Sequence, residues 1–136
     1  MKYWLMKSEP GAYSWDDLNN DKWTFWDGVR NYQARNNMKE MEVGDMALYY
    51  HSVNERRVMG IAKIIKTFYQ DPSTDDERWV AVDIEPVETF DNPVTLAQIK
   101  ADDRLQEMVL VKNSRLSVQP VRPEEFDIVV AKSKEG

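Results

Sequence analysis

The chain has 136 residues, with 24 Asp and Glu against 18 Lys and Arg, a net charge of −6 and no cysteine. At 42% hydrophobic content, with 5 Trp, 6 Tyr and 4 Phe, it has enough apolar surface for one packed core, so a folded single domain over residues 1–136 is expected. The missing cysteine excludes disulfides, thiolate metal sites and a thiol nucleophile, and the acidic balance excludes an indiscriminate phosphate binder.

The opening run Lys2 to Met6 reads as a first strand, ended by the turn chemistry of Ser8-Glu9-Pro10-Gly11. Its apolar stretch is too short for a signal peptide, and nothing in the chain is long enough to span a membrane. A soluble, cytoplasmic protein with no membrane partner is expected. Ser14 to Leu18 predicts a short helix capped by Ser14, with Asp17 completing the box. Trp23 to Trp26 is a short aromatic strand or loop broken by Asp27-Gly28, and Asn31 to Met41 has helical composition. After the turn Val43-Gly44-Asp45, the segments Met46 to His51 and Val58 to Phe68 form a hairpin pattern around polar Asn54 to Arg57.

Arg78 to Val87 alternates apolar and polar residues as a strand with one wet face does. Thr95 and Gln98 make a capping box for a helix to about Ala101, and Asp102 to Met108 adds a helical turn or two. Val109 to Val111 and Leu116 to Val118 read as short strands, Pro123 opens a last short helix, and fraying is expected after Ala131. No repeat, linker or alternating βαβ pattern interrupts this order. Aromatic strands mixed with short helices predict an α+β fold whose strands form a small closed or nearly closed barrel, because closure removes exposed edges.

Charge is unevenly spread. Gly28 to Lys66 holds seven basic residues against four acidic, whereas Asp71 to Glu107 holds three against eleven. One face that attracts a polyanion and one that repels it would follow, unless both are plain solvated surface.

Polar motifs sit at the ends of the apolar strands: Lys7-Ser8-Glu9, the run from Trp26 through Gly28, Val29 and Arg30 to Asn31, Tyr50-His51-Ser52, and Ser114-Arg115-Leu116-Ser117. Together they suit an extracted nucleobase. Trp4, Trp26 and Tyr50 offer stacking walls, Ser8, Glu9 and Asn31 offer edge contacts, and Arg30, Arg35 and Arg115 with a helix start offer phosphate contacts. Taken singly, each has a plainer reading as core, turn, cap or surface ion pair. Catalysis is not expected. His51 is the lone histidine, no spacing suggests a metal site, and no phosphate-loop, dinucleotide or nucleophile-elbow pattern is present, so neither metal nor cofactor is implied.

These motifs, from Tyr3-Trp-Leu-Met-Lys-Ser-Glu-Pro10 through Trp26 to Asn36, Val43-Gly-Asp45, Tyr50-His-Ser52 and Ser114 to Pro120, resemble the EVE domain family in order along nearly the whole chain. Asn113 and Phe126 stand where the family pattern has Gln and Trp. The resemblance implies a PUA-like barrel flanked by helices, akin to YTH and ASCH domains. It also implies a non-enzymatic reader of nucleic acid, DNA or RNA, carrying a modified base such as 5-methyl- or 5-hydroxymethylcytosine. By match of motif the pocket would draw on Lys7, Ser8, Glu9, Trp26, Gly28, Val29, Arg30, Asn31, Tyr50, His51, Ser52, Ser114, Arg115, Leu116 and Ser117. An RNA-binding module, a hydrolase of modified nucleic acid using Glu9 and Asp27, and a nucleoside pocket stay open as alternatives. Nothing resembles a coiled coil, so a monomer is expected.

Overall fold

A computed structural model describes residues 1–135. The elements run β1 (Tyr3–Ser8), α1 (Trp15–Asp21), β2 (Thr24–Trp26), α2 (Tyr32–Lys39), β3 (Met46–His51), β4 (Arg57–Gln70) and β5 (Val80–Thr95). Then follow α3 (Leu96–Ala101), a 3₁₀ turn (Asp103–Leu105), α4 (Val109–Lys112), β6 (Val118–Val121) and α5 (Pro123–Ser133). Among the described residues no helix is long and apolar enough to cross a membrane.

The six strands form one sheet in the order β2-β5-β4-β3-β1-β6, antiparallel except for β1 beside β3. Its ends, β2 and β6, are not hydrogen-bonded to each other, so the expected closed barrel is replaced by an open sheet. Helix α2 supplies the reason. It packs against β4, β5 and β6, and its Asn37 side chain donates to the Val118 carbonyl at 2.7 Å. A helix thus meets the end of the sheet where a closing strand would have to pair.

Both faces of the sheet are covered, and period-2 alternation decides which residue serves which face. Trp4, Met6, Ala47, Tyr49, Ala62, Ile64, Val82 and Val118 turn to one side and bury Trp15 and Leu18 of α1 with Ala34 and Met38 of α2. Leu5, Leu48, Tyr50, Val58 and Val121 turn to the other and bury Ile99, Leu105, Leu110, Phe126 and Val129. We call these the α2 face and the α5 face.

The two capping boxes form as read, with Ser14 and Asp17 on α1 and Thr95 and Gln98 on α3. Strand β5 runs well past Val87 and through Pro86 and Pro93. It can do so because β2 pairs only with Val82 to Ile84, leaving a free edge beyond, where a proline interrupts no ladder. Val109 to Val111 is helical rather than extended: short apolar runs fit either state, and the Asn113 amide bonding the Val109 carbonyl at 2.7 Å closes a helical turn. The last strand lies at Val118–Val121, two residues later than expected. Helix α5 continues past Ala131 to Ser133, whose carbonyl accepts from Asn92 at 3.0 Å.

Candidate functional site

Where β1 ends, β2 passes and the chain turns into α2, a cleft of about 620 Å³ opens. It is lined by Lys7, Ser8 and Glu9 with Ser117, by Ala12 and Tyr13, and by β2 with the loop Asp27 to Arg30. Val29 belongs to the core of the α2 face, and Tyr13 and Trp26 pack against that core, so the cleft is an opening into the hydrophobic interior. Its size suits one small planar ligand.

The Trp26 wall is held from behind. Its ring stands on Tyr49 with centroids 5.5 Å apart and planes at 86°, an edge-to-face contact. Tyr49 in turn packs on Trp15 at 5.2 Å and donates its hydroxyl to the Tyr13 carbonyl at 3.0 Å. Burial pushes the Tyr49 phenol well above its ordinary range, so it stays a neutral donor. The same Tyr13 carbonyl accepts from Ser8 Oγ at 2.5 Å, which spends the Ser8 hydroxyl on shaping the 9–13 turn. Gly60 completes the support: a Cβ there would fall 2.4 Å from the Glu88 carbonyl oxygen and 2.5 Å from the Trp15 ring.

The loop from Asp27 to Arg30 is organised by Asp71, a residue of the acidic segment that is fully buried. Asp71 Oδ2 accepts from the Gly28 amide at 2.8 Å and Arg30 Nη1 at 2.9 Å, while Oδ1 accepts from the Ser73 amide and hydroxyl. Burial alone would raise this carboxyl. The bonds from Ser73, Arg30 and the Gly28 amide outweigh it and bring the pKa down to about 2. Gly28 sits at φ +77, a left-handed conformation that disfavours a side chain. The Arg30 guanidinium lies 5.5 Å from the Trp79 ring, so Arg30 is fixed on two sides.

Lys7 Nζ donates to the Ser114 carbonyl at 2.5 Å, and its amide donates to the Ser117 carbonyl at 2.9 Å. Partial burial lowers the Lys7 pKa. The side chains of Glu9, Asp27 and Ser117 and the Trp26 indole N–H have no hydrogen-bond partner among the described residues. They are therefore available to a ligand.

Of the residues singled out in the sequence, eight line this cleft: Lys7, Ser8, Glu9, Trp26, Gly28, Val29, Arg30 and Ser117. Seven do not. Asn31 is the N-cap of α2, accepting from the Ala34 amide at 2.9 Å. Tyr50 faces the α5 side, one residue out of phase with Tyr49. His51 is buried, with Nε2 accepting from the Trp15 amide at 2.9 Å and Nδ1 against Glu55 at 3.0 Å. An accepting Nε2 means the proton is on Nδ1, so both ring nitrogens are engaged away from the cleft. Ser52 ties its amide to the Ser8 carbonyl, Ser114 offers its carbonyl to Lys7, Arg115 is exposed and Leu116 is core. Trp4 is also structural: its indole N–H bonds Asp45 at 3.0 Å. Asp27, named in the sequence only as a possible partner of Glu9, also lines the cleft, whereas Tyr13 and Phe25 at the cleft and Asp71 behind it carry no signal in the sequence. Tyr13 and Phe25 follow a turn and a charged stretch where periodicity is silent, and Asp71 pairs with Arg30 across 41 positions, which no local pattern reveals.

An aromatic-walled cleft with free carboxylates and donors, set in an α+β sheet, defines a binding domain for a flat polar ligand. Residues 2–132 match the family model of the EVE domain, and the chain belongs to this family. It is 36% identical to thymocyte nuclear protein 1 of Homo sapiens, with 95% of this chain and 72% of that protein covered. A crystal structure from Agrobacterium tumefaciens is 41% identical with a TM-score of 0.96, covering 98% of this chain and 94% of that one. The structure of human THYN1 in complex with 5-methylcytosine-containing DNA is 35% identical with a TM-score of 0.92, covering 100% and 99%.

Proposed function

We propose that this protein reads modified cytosine in DNA, taking one flipped base into the cleft and leaving it chemically unchanged. The observation that carries this reading is the superposition, over the whole chain, on a relative whose structure contains DNA with 5-methylcytosine. The open sheet with α2 in its seam is then an unclosed relative of the PUA-like barrel.

The cleft's chemistry fits a cytosine more closely than other bases of its size. An extracted base needs new stacking surface, and Trp26 and Tyr13 border the space. A slot that sensed only the 5-methyl group would also admit thymine, which carries one. Position 4 separates the two, because cytosine presents an amino donor and thymine a carbonyl acceptor. The unpaired carboxylates of Glu9 and Asp27 accept from the first and repel the second. The Ser117 hydroxyl supplies a donor for the base's carbonyl oxygen. The one histidine is engaged elsewhere through both ring nitrogens, which leaves the cleft without an imidazole base. With a net charge of −6, phosphate attraction is modest, and affinity comes from the slot.

The test is a titration of duplexes differing at one position: cytosine, 5-methylcytosine, 5-hydroxymethylcytosine or thymine, with RNA of the same sequence as competitor. A 5-modified cytosine binds tighter than cytosine, and thymine binds weakest. Equal affinity for all four, or preference for the RNA, sinks the reading.

A further inference from the structure

Beside the cleft lies a pair of aromatic rings that the slot itself does not use up. Trp23 is 51% exposed and Phe25 is 44% exposed. They sit two residues apart, Trp23 immediately before β2 and Phe25 within it, and both are exposed while Thr24 and Trp26 are half-buried. Strand β2 is the end strand of the sheet. Large exposed aromatics on an edge are unusual unless something covers them.

The other two exposed aromatics of this size have partners. Tyr32 stacks on Trp79 at 5.1 Å and lies under the Arg35 guanidinium, and Phe68 lies under Lys39. Trp23 and Phe25 have no ring partner and no cation partner among the described residues, and neither belongs to a core cluster. Phe25 also borders the cleft, so the exposed pair lies beside the space proposed for the base. Lys22, immediately before the pair, is exposed and has no ion-pair partner among the described residues. A cation beside two free rings complements a phosphate beside exposed base faces.

Resting on the proposed base-reading function, we infer that Trp23 and Phe25 form a wedge that enters the DNA duplex next to the flipped base. Phe25 occupies the place in the stack that the base has left, and Trp23 abuts the neighbouring base. Extraction of a base exposes two base faces to water. Apolar side chains inserted between steps recover that contact, and bulky rings do so best. Such a wedge matters only when there is a stack to hold open. A single strand, whose bases are free to turn outward, has little use for it.

This asymmetry makes the inference testable with Phe25→Ala and Phe25→Leu, both at an exposed position outside the core. Affinity is measured for a duplex and for the single strand carrying the same 5-methylcytosine, with 2-aminopurine beside the modified base reporting unstacking. For Phe25→Ala the duplex affinity falls on the order of tenfold, the single-strand affinity changes less than about threefold, and the 2-aminopurine signal drops. Phe25→Leu recovers part of the duplex loss, since leucine also serves as a wedge. Equal losses on duplex and single strand would make Phe25 a wall of the cleft and overturn the wedge. No loss on either overturns it as well. A wild-type protein that binds modified and unmodified duplexes equally removes the base-reading function itself, a result distinct from both.

Discussion

The two faces of the sheet are built from adjacent residues and do opposite work. On the α5 face, Leu5, Leu48 and Tyr50 meet helices and are buried. On the α2 face, Met6 and Tyr49 meet α1, α2 and the Trp26 wall, and at one end the packing stops short and leaves the cleft. Tyr49 and Tyr50 are neighbours in sequence, yet one buttresses the cleft and the other is interior packing of the opposite layer. A strand can thus divide stability from recognition simply by alternating, and a substitution's effect depends on the parity of its position.

The largest effect expected from breaking this division is on the closed side. Leu48→Ala leaves a cavity in the α5 face and costs about 2–5 kcal/mol of folding stability, while the folded fraction binds its ligand unchanged. Denaturant unfolding with a parallel binding assay checks both halves, and lost binding by the folded fraction would mean that the faces are coupled. Next comes Asp71→Asn, on the open side. The folded carboxyl, near 2, lies below its unfolded value, so its contribution is fully present above about pH 4 and disappears as pH falls toward 2. The stability gap between wild type and Asp71→Asn is expected to narrow by roughly 2 kcal/mol from pH 6 to pH 2.5. A gap independent of pH would show that Asp71 does not hold the Gly28–Arg30 loop as a charged group.

Trp26→Ala is expected to weaken modified-base binding by about 1–3 kcal/mol, read by titration at unchanged fold. The smallest effects give the sharpest contrast. Tyr49→Phe removes the bond to the Tyr13 carbonyl and costs about 0.5–1.5 kcal/mol, with a measurable loss of binding. Tyr50→Phe changes stability by less than about 0.5 kcal/mol and leaves binding alone. If Tyr50→Phe impairs binding and Tyr49→Phe does not, the assignment of faces is reversed.

Much of the fold was legible because local chemistry carries it. Ser14, Thr95 and Pro123 mark helix starts by capping rules, and β1, β3 and most of β4 show as apolar runs. The length of β5 was hidden by Pro86 and Pro93, which end a strand unless its partner has already ended. The barrel was inferred from exposed edges, and a helix protects an edge as well as a strand does. At the cleft, the motifs Lys7-Ser8-Glu9 and Trp26 to Arg30 were found as polar breaks in apolar sequence. Tyr50, His51 and Leu116 were swept in with them because a motif read as letters ignores which face each letter turns to. Phe25 and Asp71 were missed for the opposite reason: an exposed ring and a buried acid run against the habits that pattern reading relies on.

The parallel contact of β1 with β3, the antiparallel contact of β1 with β6, and the Lys7–Ser114 bond together impose an order in time. One bank of the cleft joins residues 107 positions apart in sequence. A nascent polypeptide halted anywhere before Val118 lacks the strand that borders β1, however well its first half has folded. The cleft is therefore complete only once Val118–Val121 has been made and paired with β1, a contact of high sequence separation, the kind that closes slowly.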